Sequence, residues 1–403
     1  MKYVEGGVCA AKGFTAAGIH AGIRKNKTKK DLALIVSDVK CAAAGVYTSN
    51  LVKGAPIPVT QRNIADGYAQ AIVVNSGIAN TCNADGEYVA EEMCRITAEA
   101  TGLRAEDVIV ASTGVIGQPL NLEPIRLAMP TLVSSLGNNS IDANEAIMTT
   151  DTIHKEVAVE FTLGGKTCYL GGIAKGSGMI CPNMATMLIF LTTDVNVAPD
   201  MLQKALKYDV ARSFNMVSVD GDTSTNDMLM IMASGKAGNE QITCENEDYQ
   251  VLLDAISAVT TKLCKLLAKD GEGATKLIEV CLTGAKDDKN AKIIAKSIIK
   301  SSLFKAAMFG ADANWGRVLC AIGYSGADVD VTKISVAFES VAGKVIVCEN
   351  GAGVPFSEEV AKKVLLESEI KVLVGCGDGN ADATAWGCDL TYDYVKINGD
   401  YRT

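Results

Sequence analysis

The stretch KGSGMICPNMATML, Lys175 to Leu188, begins as a polar, glycine-rich loop and ends as the start of an apolar strand, with Thr186 at the joint after the small Ala185. Thr186 can be read in two ways. Threonine is a good strand former, and Thr186 opens the strand pattern TMLIFLTTD. Alternatively its hydroxyl is a nucleophile whose own α-amino group serves as base. An internal threonine has no free amine, so that chemistry requires the Ala185–Thr186 bond to be cut. The permissive glycine-rich approach would let the hydroxyl reach the Ala185 carbonyl. An N-to-O acyl shift and ester hydrolysis would then free a new N-terminus.

Ahead of this stretch, short apolar runs read as strands: LALIVSD from Leu32, AIVVNSG from Ala71 and VIVAS from Val108. Helical patterns lie between them. In AEEMCRITAEATGL, Ala90 to Leu103, Met93, Ile96 and Ala100 recur at helical spacing and Gly102 supplies a stop. DYQVLLDAISAVTTKLCKLLAKDG, Asp248 to Gly271, carries one stripe of Leu252, Ile256, Val259, Leu263 and Leu267. ATKLIEVCLTGA reads as a strand and NAKIIAKSIIKSSLFKAAMFG, ending at Gly310, as a helix. The last third reads as strands KISVAFES, KVIVCENG, EIKVLVGCG and DLTYDYVKING, the final one alternating Leu390, Tyr392 and Tyr394. The pattern is mixed α/β without an internal repeat. A boundary near residue 280 divides a catalytic region, 1–280, from a C-terminal α/β domain, 281–403.

Composition narrows the chemistry. With 48% hydrophobic and 21% charged residues, the 403-residue chain can bury a sizeable core. A net charge of −9 argues against a nucleic-acid partner. The one basic cluster, RKNKTKKD from Arg24 to Asp31, reads as a solvated loop, with anion contact the lesser alternative. Thirteen scattered cysteines without a CxxC read as buried free thiols in a reducing compartment. MKYVEGGVCAAKGF lacks the apolar core of a secretory signal, and no run of 18 apolar residues would span a membrane. The expectation is a cytoplasmic protein. GGIAKGSG places Lys175 before its last glycine, whereas a phosphate loop needs it after. GCGDGNADA, Gly375 to Ala383, lacks the glycine spacing of a dinucleotide turn and reads as a tight turn. Two distant histidines, His20 and His154, supply neither a zinc site nor a histidine-based triad, so no metal is expected. Acyl-transfer or hydrolytic chemistry here would need another base. Cys181 has no base beside it in sequence and reads as packing.

KGSGMICPNMATML, together with GGVCAAKGF, IVVNSGIAN, VIVASTGVIG, MTTDT, SVDGDTSTND, DGEGATK, FGADANWGR and the terminal KINGDYRT, closely resembles the ornithine acetyltransferase family. These motifs run in order over essentially the whole chain. The resemblance implies glutamate N-acetyltransferases of arginine biosynthesis that cut themselves before a nucleophilic threonine. Here that gives an α chain of residues 1–185 and a β chain of residues 186–403, with Thr186 as nucleophile and Ala185 on the other side of the cut. Carried over motif by motif, Thr113 and Gly114 form the oxyanion hole, and Lys175 receives the substrate α-carboxylate. Glu272 faces the side-chain ammonium of ornithine, and Thr152, Asn398 and Thr403 make further substrate contacts. Thr149 and Thr150 are close rivals to Thr152. The implied reaction moves acetyl from N2-acetyl-L-ornithine to L-glutamate by a ping-pong route, without cofactor or metal. Members that accept acetyl-CoA as donor extend it. The implied fold is α/β, an αββα-type layered sandwich around the cleavage site with a smaller C-terminal α/β domain, assembled as a heterotetramer of two α and two β chains. A self-processed amidohydrolase or aminopeptidase, admitting water instead of glutamate, is the rival activity, and a non-catalytic scaffold is the rival of another class.

Overall fold

The computed structural model describes residues 1–26, 28–181 and 187–399. Among these, sixteen strands form two sheets. The larger holds β1 (Lys2–Val4), β2 (Phe14–Ile19), β3 (Leu32–Tyr47), β4 (Tyr68–Asn75), β5 (Val108–Ser112), β6 (Lys155–Leu163), β7 (Lys166–Lys175) and β8 (Leu188–Thr193). After β9 (Val217–Ser218), which joins the other sheet, β10 (Met228–Ala233) completes it. The order is β1-β6-β7-β8-β10-β3-β4-β5, with β2 paired to β3.

The long β3 belongs to both ends of this sheet. Its first residues, Leu32–Val36, pair with β2 and β4, and its last, Ala42–Tyr47, pair with β10. The register to β4 shifts between Val36 and Cys41, an irregularity of the kind that bends a strand. Ala33, Ile35, Ile72 and Ile109 from one half share a buried cluster with Ile173, Leu188, Phe190, Met228 and Met230 from the other. The sheet therefore doubles back and buries its inner faces against each other. On one outer face, Leu170, Ile189, Leu191 and Leu229 pack with the helices Pro199–Val210 and Glu247–Lys269. On the other, Leu34, Val73 and Val110 pack with the helices Gly86–Thr101 and Leu122–Ser134. Burying such side chains stabilises the layers by roughly 1.5–3 kcal/mol each. The result is the layered α/β sandwich the resemblance implies.

The second sheet has the order β14-β13-β12-β15-β11-β16-β9. It is built from β11 (Leu277–Ala285), β12 (Ser335–Ser340), β13 (Gly343–Glu349), β14 (Ala352–Gly353), β15 (Glu369–Gly375) and β16 (Ala381–Cys388), with β9 at one edge. Residue 280 lies inside β11. The helix Glu247–Lys269 contacts β6 and β7 of the first sheet and β11 and β16 of the second, so one element serves both.

Local chemistry accounts for where the elements begin and end. Asn246 caps the helix Glu247–Lys269 by accepting from Tyr249 N at 2.9 Å, and its expected stripe from Leu252 to Leu267 is buried. Gly102, at φ +72, closes the helix Gly86–Thr101, in which Met93 and Ile96 are buried while Ala100 is exposed. The expected helix ending at Gly310 is two, Asp288–Lys300 and Ser302–Phe309, because Ser301 is extended and its hydroxyl caps Phe304 N. The final expected strand is instead the helix Tyr392–Gly399. Thr391 accepts from Tyr394 N as an N-cap and donates to the Gly273 carbonyl at 2.7 Å, while Asp389 accepts from Thr275 N and Lys276 N. Those bonds turn the chain into a helix at the point where the alternation of tyrosines suggested a strand.

The stretch Gly375 to Ala383 joins β15 to the strand β16 across β11, as a turn and not as the start of a helix. Eight of the thirteen cysteines are buried, while Cys82, Cys244 and Cys320 are exposed. Among the described residues, no helix is long and apolar enough to cross a membrane.

Gly18 of β2 tests the layer contact. A Cβ there would lie 1.9 Å from the Asp142 carbonyl oxygen, in the backbone of the helix Ser140–Ile147. Gly18→Ala should lower stability by about 1–3 kcal/mol, read from urea midpoints. Gly323→Ala, whose Cβ would meet nothing within 4 Å, should stay within about 0.5 kcal/mol of wild type.

Candidate active site

Lys175 ends β7 and pairs with Leu188, the first residue of β8. On the other side of β8, Met228 N donates to the Met187 carbonyl at 2.9 Å. Met187 and Leu188 are thus held between two strand partners, at one end of the larger sheet. Ala185 and Thr186 themselves, like Thr403, lie outside the described residues. The approach to them is anchored. Met179 takes the left-handed conformation at φ +54, and Asp220 accepts from Met179 N at 2.6 Å and from Ile180 N at 2.9 Å. The Cys181 carbonyl accepts from the Thr223 hydroxyl at 2.9 Å, and Cys181 is buried, as its packing role requires.

Thr113 and Gly114 follow β5 in a turn that packs on the turn after β4. Thr113 N donates to the Asn75 carbonyl at 3.0 Å, and Val115 N to the Gly77 carbonyl at 3.0 Å. Gly114 has φ +130, and a Cβ on it would sit 2.2 Å from the Gly77 carbonyl carbon, so only glycine fits. Among the described residues, the Gly114 N–H has no protein acceptor. Lys175 Nζ lies 3.5 Å from Thr113 Oγ1, which leaves the threonine O–H proton available to donate. Beneath, Asn226 is wholly engaged. Its Nδ2 donates to the Ala79 and Ser112 carbonyls, and its Oδ1 accepts from the Thr81 and Thr225 hydroxyls.

Lys175 is buried, and burial lowers its pKa below the ordinary lysine value, against the supporting charges of Asp151 and Asp227. With Thr113, Met187, Leu188, Asn226 and Asp227 it lines a small cavity of about 30 Å³. Asp227 is fully enclosed there, and burial raises its carboxyl well above the usual carboxylate range.

A second cavity, of about 520 Å³, is lined by Thr150, Thr152, Ser177, Asp270, Glu272 and Lys396 among others. Glu272 accepts from Asn398 Nδ2 at 2.7 Å, so the helical C-terminal segment delivers Asn398 to the carboxylate. Gly178 makes room for it, since a Cβ there would lie 2.4 Å from Glu272 Oε2. Thr152 faces solvent, yet both its N–H and its O–H donate to Asp270. Thr149 and Thr150 line a third cavity, of about 480 Å³, with Gly77, Ile78, Gly114 and residues of the basic cluster. That cluster is less free than its composition suggested. Asp31 is buried and accepts from Ala21 N, Ile23 N and Arg24 N, while Arg24 reaches Ser76 and the Met148 carbonyl.

The expected residues therefore fall into two groups, Thr113, Gly114 and Lys175 on one side and Thr152, Glu272 and Asn398 on the other. What joins them was not singled out in the sequence. Lys155 is fully buried, with its Nζ on Asp151 Oδ1 at 2.7 Å and on Asp270 Oδ2. Asp151 also accepts from Gly176 N at 2.7 Å and Thr149 N at 2.9 Å. Ser177 donates to the Asp270 carbonyl and accepts, through its own carbonyl, from Glu272 N. Burial alone would raise the Asp151 pKa, but the Lys175 and Lys155 charges, with the hydrogen bonds from Lys155 and Gly176, outweigh it and hold the carboxyl down at about 2. The visible signals were slight: Asp151 and Lys155 four residues apart in DTIHK, and Asp270 two before Glu272. Among the described residues, no cluster of His, Cys, Asp and Glu is arranged to hold a metal ion.

Residues 15–403 match the family model described as the ArgJ family. The arginine biosynthesis bifunctional protein ArgJ of Symbiobacterium thermophilum is 50% identical over 406 residues, covering 100% of both chains. A crystal structure of the Bacillus halodurans protein of that name is 47% identical, with a TM-score of 0.50, over 53% of this chain and 98% of that one. Ornithine acetyltransferase of Mycobacterium tuberculosis, solved in complex with ornithine, is 34% identical over 46% of this chain and 99% of that one, with a TM-score of 0.43. With nearly its whole length matched, this chain belongs to the ArgJ family of arginine-biosynthesis enzymes.

Proposed function

We propose that the protein is a glutamate N-acetyltransferase that moves the acetyl group of N2-acetyl-L-ornithine to L-glutamate through an acetyl-Thr186 ester. The observation that carries this reading is the Thr113–Gly114 turn, whose Gly114 N–H has no acceptor among the described residues, beside the buried Lys175 at the point where β8 begins. In the first step the Thr186 hydroxyl attacks the Ala185 carbonyl. The C–N bond breaks, an ester forms and water hydrolyses it, leaving Thr186 with a free α-amine. That amine then takes the hydroxyl proton as Oγ attacks the acetyl carbonyl. The Thr113 O–H and the Gly114 N–H stabilise the oxyanion, the C–N bond to ornithine breaks, and the leaving nitrogen takes the proton back. Glutamate's amine attacks the ester in the second half-reaction. Lys175 receives the α-carboxylate, and Glu272, oriented by Asn398, faces the ornithine ammonium. Thr152 and Thr403 complete the contacts.

This chemistry needs no metal or cofactor, and acetyl-CoA would serve as a second donor by acylating the same oxygen. Support for the cut comes from the solved Bacillus halodurans chain, which about half of this chain covers almost whole. Residues 186–403 make up about 54% of the 403-residue chain, close to that share. The proposal includes assembly as two α and two β chains and a cytoplasmic location, the latter in keeping with thirteen cysteines that lack paired spacing.

Purified wild type should give two chains by mass spectrometry, and Thr186→Ala a single uncut 42.2 kDa chain that transfers no acetyl. A Thr186→Ala protein still cut after residue 185 would overturn the mechanism, and acetate release at equal rate with and without glutamate would overturn transfer in favour of hydrolysis. Thr113→Ala, which removes one oxyanion donor, should lower kcat about 10²–10³-fold with the cut chains present.

Lys175 gives a pH signature. Its pKa lies below the ordinary lysine value through burial, so its charge is lost, as pH rises, earlier than that of a free lysine. KM for acetylornithine should therefore climb on the alkaline side earlier than a free lysine would titrate. Lys175→Gln should raise KM at neutral pH and flatten that climb.

A further inference from the structure

Lys155, Asp151 and Asp270 are more than ballast beneath the larger cavity. Side-chain exposure is 0% for Lys155 and Asp151 and 4% for Asp270. A buried ion cluster of this kind is a poor source of stability, because desolvation offsets most of the attraction and apolar packing would serve as well. Its geometry, however, is spent on the site. Asp270 Oδ2 takes the Lys155 Nζ, which fixes the carboxylate in place. The carboxylate then receives both the N–H and the O–H of Thr152, a solvent-facing residue whose hydroxyl could otherwise rotate freely. A hydroxyl has one proton and two lone pairs. With the proton committed to Asp270, Thr152 can offer the cavity only an acceptor.

We propose that Asp270, clamped by Lys155 and Asp151, is a positioning residue that sets the polarity of Thr152, so that Thr152 accepts from a nitrogen of the bound amino acid and never donates to its carboxylate. This rests on the acetyl-transfer reading and adds to it. The cavity lining then offers Thr152 and Glu272 as acceptors, with Lys269 and Lys396 as its cations, while the buried Lys175 lines the separate 30 Å³ cavity. An amino acid bound in this cavity is oriented with its N–H donors toward Thr152 and Glu272. The same arrangement disfavours a ligand that presents an anion or a bare carbonyl to Thr152, since two acceptors would face each other there.

The test uses the processed enzyme and compares Asp270→Asn, Thr152→Val, Thr152→Ser and the double variant Asp270→Asn/Thr152→Val. An asparagine amide keeps the shape of Asp270 but loses its charge and can donate to Thr152. Both Asp270→Asn and Thr152→Val should raise KM for acetylornithine about tenfold or more, with kcat per titrated active site within about threefold of wild type. Thr152→Ser should recover most of the loss, and the double variant should be no worse than the poorer single one, because the two residues act as a unit. A purely structural role predicts a smaller active fraction with unchanged KM, and that result overturns the proposal. So does full additivity in the double variant. Asp270→Asn removes half of a buried ion pair and can fail to fold; the Thr152 pair then decides alone, since Thr152→Val with unchanged KM is equally fatal. Wild-type enzyme that makes no acetylglutamate overturns the functional reading itself, whereas wild-type transfer with unaltered variants overturns only the role given to Asp270.

Discussion

One buried ammonium holds the functional end of this molecule together. Lys155, at the start of β6, reaches Asp151 in the preceding loop and Asp270 just past the helix Glu247–Lys269. Through those carboxylates it fixes Thr149, Thr152 and Gly176, and through the Asp270 carbonyl it fixes Ser177 and hence Glu272. Three loops distant in sequence are thereby locked at a single depth. Removing one partner of such a pair leaves an uncompensated buried charge, at a cost of about 3–5 kcal/mol. The arrangement is thus intolerant of piecemeal change.

The second constraint is the seat of β8. All six of its residues are buried, and it is bonded to β7 on one side and to β10 on the other. These pairings seat the strand from both sides. Leu188, Phe190, Ile189 and Leu191 anchor both faces of the strand in the core.

Much of this was legible in the residues, and the exceptions share a cause. Apolar runs such as LALIVSD and VIVAS mark strands because burial on both faces leaves no other reading, and the stripe from Leu252 to Leu267 marks its helix in the same way. The doubling of the larger sheet was not legible, because it depends on which partner β3 takes after Cys41, a choice made by contacts far away in sequence. The terminal helix was misread because Tyr392 and Tyr394 alternate as a strand would, while the capping by Thr391 and the docking by Asp389 act through residues 273–276. At the site, Thr113, Lys175 and Glu272 sit in recognisable motifs. Asp151, Lys155 and Asp270 do not announce themselves, because a buried ion cluster is defined by convergence in space and each member alone looks like a surface charge.

The hydrogen-bonded pairing of β7 with β8 has a consequence for the life history of the molecule. A break between residues 185 and 186 would leave those neighbouring strands on separate polypeptides that remain interleaved, six residues deep, in one sheet. The two pieces could not drift apart without melting that sheet, and once parted they would meet again only as a second-order encounter between incomplete chains. Folding information would then belong to the uncut precursor, and the mature form would persist because the route back to unfolding is steep and not because it could rebuild itself. Such a protein is assembled once.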